Sequence, residues 1–306
     1  MSVKERKIEI DVIKTLAIFS VISVHFFSNI GFYEQPIFGK KMFVMVILRG
    51  FFMICVPLFI MATGYLMNHK KFEKKYYKGI FKILYIYIMV SILLLIYKRV
   101  NGPEISLWKM FLSILGFSGA KYSWYVEMYI GLFLIIPFLN LVYNNLETKK
   151  QKIWLVIIML FLTSIPLVTN VYNLESLTWW ESPMSSKEHN VIFPQYWIAI
   201  YPITYYFIGC FICEYKPKIN KILNILLIVV ITLVVGIFNF WYSFENCFYW
   251  GAYQGYGSLF VVALSYLVFV FLINCDWEKL PQKLKKVLIL ISNLTLGTYL
   301  ISEVLI

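Results

Sequence analysis

Long apolar runs alternate with short, lysine-rich polar segments along most of the chain. Runs of about 20 residues are the length a helix needs to cross a hydrocarbon layer of about 30 Å. Nine such helices are predicted near 9–31, 42–67, 79–97, 127–143, 153–169, 196–213, 221–241, 257–274 and 287–306. A shorter apolar patch near 105–118, interrupted by Lys109 and Gly116, reads as interfacial or re-entrant. Strands would leave open edges in lipid, so the pattern calls for an all-α polytopic membrane protein.

Composition strengthens this reading. Of 306 residues, 60% are hydrophobic and 14% charged, whereas soluble domains carry about 45–50% and about 25%. The first run continues into a full span without a small-residue cleavage site, so it reads as a helix and not a secretory signal. The formal charge of +12 is spread over the loops in no single stripe, which argues against a nucleic-acid partner.

With a cytoplasmic N-terminus, eighteen Lys and Arg fall inside, from Lys4 through Lys286, and seven outside, including Lys121 and Lys187. That asymmetry sets orientation. An odd number of spans leaves Ile306 outside; either the last helix stops at the outer interface or a further span is missing. Cys210 and Cys213 have metal-motif spacing but lie in an apolar run without a second ligand pair, and read as packing residues.

Ionisable residues inside spans are expensive and tend to face partners, water or substrate. The first helix carries Asp11, Lys14 and His25. Lys14 and His25 are 11 residues apart, so they share one face within about 20° and differ in height by about 16 Å. Arg49 on the second span and Glu127 at the outer start of the fourth are expected at a depth comparable to His25. Each has a plainer reading: a satisfied core histidine, snorkelling cations, a solvated helix start. The matching depths favour a shared site.

Three stretches at these residues resemble the membrane acyltransferase-3 family. IEIDVIKTLAIFSVISVHFF (8–27) is similar to the family's first helix, with Lys14 where Arg is commoner and His25 at the expected spacing. VPLFIMATGYLMNHKKFEKKYYKGIFKIL (56–84) resembles its VPLFF-x-x-SGYL segment and basic loop, with Lys78 and Lys82 at arginine positions. Arg49 stands one turn before the usual arginine position, which Met53 occupies. YSWYVEMYIGLFLIIPFL (122–139) carries the third match through Trp124, Glu127, Tyr129 and Pro137. Weaker echoes lie at 205–212 and 292–302, where family members commonly have His in place of Ser302.

The resemblance implies one integral membrane acyltransferase-like domain over 1–306, of nine or ten spans, with its final helix in question. It implies acyl transfer from cytoplasmic acyl-CoA, most commonly acetyl-CoA, to a hydroxyl of an extracytoplasmic glycan or lipid-linked sugar in a bacterial plasma membrane. Acyl-CoA would be a co-substrate, with no permanently bound cofactor or metal, and membrane lipid would surround the chain. His25 would act as general base or acyl relay. Glu127 would orient it or hold the acceptor hydroxyl, and Arg49 would stabilise oxyanion charge. Lys14, Lys75, Lys78 and Lys82 would bind the donor, although the lysines of the 70–82 loop serve equally as an orientation signal. Trp124, Tyr129 and Trp179 would contact substrate, where interfacial belts also place tryptophan. A lipid-linked-sugar transporter would show internal repeats, and none is evident; a catalytically degenerate homologue is the other alternative.

Overall fold

The computed structural model describes residues 6–102, 104–186 and 188–305. Lys4, Lys187 and Ile306, used above, lie outside them. All nine predicted spans are helical, and the described residues contain no extended strand, only isolated bridges at Pro36–Cys247 and Ile37–Phe244.

Helix α1 (Ile8–Asn29) is followed by α2 (Gly39–Phe52) and α3 (Cys55–Met67), which together make the second span. They are separated at Met53–Ile54, where the backbone tightens to i→i+3 bonds from Met53 and Ile54 to Gly50 and Phe51. Pro57 explains the break: its ring clashes with the carbonyl of Met53 and it has no N–H to offer. After α4 (Lys74–Tyr77), α5 (Gly79–Asn101) returns across the bundle. The 105–118 patch becomes α6 (Leu107–Leu115), nine residues with none buried, too short to span. Next come α7 (Trp124–Asn144), α8 (Lys149–Thr163), the single turn α9 (Pro166–Thr169) and α10 (Tyr201–Tyr215). The chain closes with α11 (Lys221–Tyr242), α12 (Leu259–Ile273) and α13 (Gln282–Leu305). Among the described residues seven helices are long and apolar enough to cross a membrane; α8 and α12, at 15 residues each, are shorter than expected.

The centre is the α3–α10 crossing. Gly64 lies against the backbone of Tyr206 and Cys210, and Gly209 against the backbone of Met61, so that a Cβ on either glycine would strike the other helix. Small residues allow this close approach where no hydrophobic force drives helices together. The Cys210 thiol completes the contact by donating to the Gly64 carbonyl at 3.6 Å, in keeping with a packing role. Outward faces of α5 and α11 carry exposed Phe81, Leu93, Ile96, Leu226 and Val230, the surface expected to meet lipid.

Polar ties join helix ends that alternating spans must bring together. At the lysine-rich end, Lys152 of α8 pairs with Glu214 of α10 at 2.8 Å. There too, Arg6 holds buried Asp11 through two 2.8 Å bonds and reaches Asn293 of α13 at 3.1 Å. At the opposite end Lys98 of α5 meets Glu303 of α13 at 2.7 Å. That opposite end is capped by the segments at 30–38, 165–200 and 243–258, with Trp179, Tyr242 and Ala252 as a buried cluster.

Candidate active site

His25 lies one turn from the end of α1, buried at 7% exposure. Its Nδ1 is 2.7 Å from Ser302 Oγ on α13. The Ser302 hydroxyl donates its one proton to the Tyr299 carbonyl at 2.6 Å, so towards His25 it can only accept. Nδ1 therefore carries the proton, and Nε2 presents a lone pair, by the rule that one ring nitrogen's partner fixes the role of the other. Tyr122 stacks flat on the imidazole (centroids 3.4 Å apart, 8° between planes) and Tyr299 meets it edge-on at 5.6 Å. The ring is held by three contacts from two distant parts of the chain.

Below this cluster is a cavity of about 200 Å³ lined by Lys14, Thr63, Met67, Tyr125, Tyr129 and Tyr299, among others. Tyr299 is thus shared between the cavity wall and the imidazole, and its buried hydroxyl has no partner among the described residues. Lys14 is half-buried and makes no ion pair there, because Asp11 is engaged by Arg6. Met67 also lines a second cavity of about 440 Å³ at the lysine-rich end, with Lys70, Lys71, Glu73, Lys75 and Tyr76. Met67 thus borders both the lysine-lined cavity and the cavity that Tyr299 lines.

The acyltransferase-3 family, described as an acyltransferase domain, matches residues 7–306. The chain belongs to that family. It is a multi-pass, membrane-bound O-acyltransferase. No curated protein and no solved structure matches it.

Within this acyltransferase the expected residues separate into groups. Lys14 and Tyr129 line one cavity, His25 packs against Tyr299 of its wall, and Lys75 lines the neighbouring cavity. Lys78 and Lys82 are exposed nearby on the chain but line neither cavity. Glu127 does not reach His25. Tyr125 and Val126 are buried, and the next residue, turned by about 100°, is exposed and makes no ion pair among the described residues. Trp124 shares that exposed side and stacks on Tyr256 at 5.6 Å. Trp179 is fully buried in the cap, packed edge-on against Trp180, Trp241 and Tyr242. Its ring is therefore not offered to a ligand.

Arg49 is fully buried and stands apart from His25. Its Nε donates to Tyr33 Oη at 3.0 Å, its Nη1 to Gln254 Oε1, and its guanidinium lies 4.2 Å from the Trp250 ring and 4.9 Å from Phe248. Burial pushes the Tyr33 phenol up and the Arg49 charge pulls it down, with smaller upward effects from Tyr122 and Cys55.

Ser302, Tyr122 and Tyr299 did not stand out from sequence as site residues. Polar Ser302 in the last apolar run was a visible signal; its pairing with His25, 277 positions earlier, was not.

Proposed function

We propose that this enzyme moves an acyl group from acyl-CoA, entering at the lysine-rich cytoplasmic end, to a hydroxyl of a glycan or lipid-linked sugar at the opposite side of a bacterial plasma membrane. The observation that carries the reading is the His25–Ser302 pair, which leaves Nε2 with a free lone pair on a ring packed against Tyr299, a wall residue of the cavity that also holds Lys14. Lys70, Lys71 and Lys75 attract the donor's phosphates, with Lys78 and Lys82 adding to the field, and Lys14 and Tyr129 line the path of its arm. The thioester carbonyl comes to rest near Tyr299.

His25 Nε2 takes the proton from the acceptor hydroxyl as that oxygen attacks the carbonyl carbon. The Tyr299 hydroxyl, which has no partner among the described residues, donates to the developing oxyanion, the role first assigned to Arg49. The C–S bond then breaks, and the leaving thiolate takes the proton back from the imidazolium. Ser302 holds the tautomer, which leaves Glu127 contact with the acceptor hydroxyl. Acetyl is the expected group.

Mass spectrometry of ester groups on the surface glycans tests this in a deletion strain complemented with wild type or His25→Ala. The reading expects an ester lost on deletion, restored by wild type and not by the variant. Equal ester content in all strains, with both proteins present in the membrane, would overturn it.

A further inference from the structure

A second polar cluster lies on the cap side of the bundle, and the proton transfer above leaves it unused. Arg49 is fully buried, yet none of the ion pairs among the described residues involves it. Glu34 and Glu245, the carboxylates of the two loops around it, are both exposed. Buried charges are ordinarily paired, because desolvating a lone ion is costly. Aromatic rings relieve part of that cost, but they are not hydrogen-bond acceptors for the remaining N–H groups.

Those groups can be named. Arg49 Nη2 and Gln254 Nε2 are buried and have no partner among the described residues. The two side chains are bonded to each other through Nη1 and Oε1, so both spare nitrogens belong to one cluster, and both are donors. A cluster holding a fixed positive charge and two spare donors is complementary to an oxyanion, which has the opposite charge and only acceptors.

The enclosure is built. The 243–258 segment is laced to the 30–38 loop by Ile37 N donating to Asn246 O at 2.9 Å and Glu245 N to Ile37 O at 3.0 Å. Gly50 lies directly against Gln254: a Cβ there would be in van der Waals contact with its Nε2 at 3.4 Å. Trp250 roofs the guanidinium, is 52% exposed, and stacks on Tyr33. The half-exposed indole over a buried cation puts an apolar rim beside an anion-binding group, a pairing complementary to an acidic sugar.

We infer that Arg49 and Gln254, beneath Trp250, bind an oxyanion carried by the acceptor glycan, a uronate carboxylate or a phosphodiester, and so select an acidic acceptor. The inference rests on the acyl-transfer reading for the acceptor's side of approach, but the site binds without the donor.

The test is calorimetric titration of the purified full chain in nanodiscs, without acyl-CoA. The probes are tetragalacturonate, its carboxyl-reduced neutral counterpart, and a glycerol-phosphate oligomer of equal length. At least one charged probe should bind tenfold or more tightly than the neutral one, with the difference shrinking in high salt. Whichever charged probe gains identifies the source of the oxyanion. Arg49→Gln should abolish the gain and Arg49→Lys retain part of it. Trp250→Leu, at the half-exposed rim and checked for an unchanged unfolding temperature, should weaken the charged probe several-fold. Equal wild-type affinity for all three probes would overturn the inference, as would undiminished charge preference in a folded Arg49→Gln. If charge preference holds while no acyl transfer is detected, the acyl-transfer reading fails and the anion site stands.

Discussion

Replacing Ser302 with Ala removes one oxygen and, with it, the acceptor for the His25 Nδ1 proton at 2.7 Å. No water-exposed route replaces it, since Ser302 is 1% exposed and the imidazole lies under Tyr122. A neutral hydrogen bond contributes about 0.5–1.5 kcal/mol net, and stranding a buried donor costs about 1–3 kcal/mol. If that cost falls on the competent tautomer, kcat drops by about 5- to 150-fold, at about 1.4 kcal/mol per tenfold. The Michaelis constant for acyl-CoA should stay unchanged, because Ser302 lines neither donor cavity. Losing the base itself, in His25→Ala, costs more, about 10²–10⁴-fold. Ser302→Thr keeps a hydroxyl and should recover most of the rate. The assay is steady-state transfer of labelled acetyl from acetyl-CoA by purified protein. A wild-type kcat in folded Ser302→Ala would refute the tautomer argument. A loss as deep as that of His25→Ala, unrelieved by Thr, would also refute it by making Ser302 the reacting group.

Other parts of the molecule give independent tests. Combined Lys70→Gln, Lys71→Gln and Lys75→Gln should raise the Michaelis constant for acyl-CoA about tenfold, or about 1.4 kcal/mol, with kcat little changed; an unaltered constant would show that these lysines only orient the chain. Gly64→Ala and Gly209→Ala each force a methyl into the facing helix backbone, an overpacking cost of about 1–3 kcal/mol, seen as a lower unfolding temperature in detergent. In the cap, burial lowers the His189 pKa from its ordinary 6.5. The unfolded cap therefore takes up the proton first, so the stabilisation is present above pH 6.5 and is lost as pH falls towards the folded value. Hydrogen exchange across 170–195 should quicken as pH is lowered through this range relative to a His189→Gln control, after correction for intrinsic exchange; parallel pH dependence would contradict the assignment.

Much of the architecture was legible because lipid leaves the backbone few choices. Apolar runs had to be helices, and the short 105–118 patch followed from local chemistry. What sequence could not supply was rotation and long-range pairing. Glu127 and Val126 are neighbours, yet one is exposed and the other fully buried, a difference set by how α7 packs. The depth argument placed Arg49 near His25, but Gln254 and Trp250, some two hundred positions later, enclose it separately. Trp179 looked available in a polar outer loop and is instead the core of the cap. The tight crossing depends on Gly64 and Gly209 meeting from helices about 145 positions apart in the chain, a pairing that local sequence does not reveal.

The most direct measurement is acyl transfer across a sealed bilayer. The purified chain is reconstituted in vesicles with one orientation, labelled acetyl-CoA is supplied only at the lysine-rich face, and a polysaccharide acceptor is enclosed at the other. The account predicts labelled ester on the enclosed acceptor with wild type, and a loss of at least about a hundredfold with His25→Ala. Label that forms at an undiminished rate with His25→Ala, or only when donor and acceptor share a face, would contradict it.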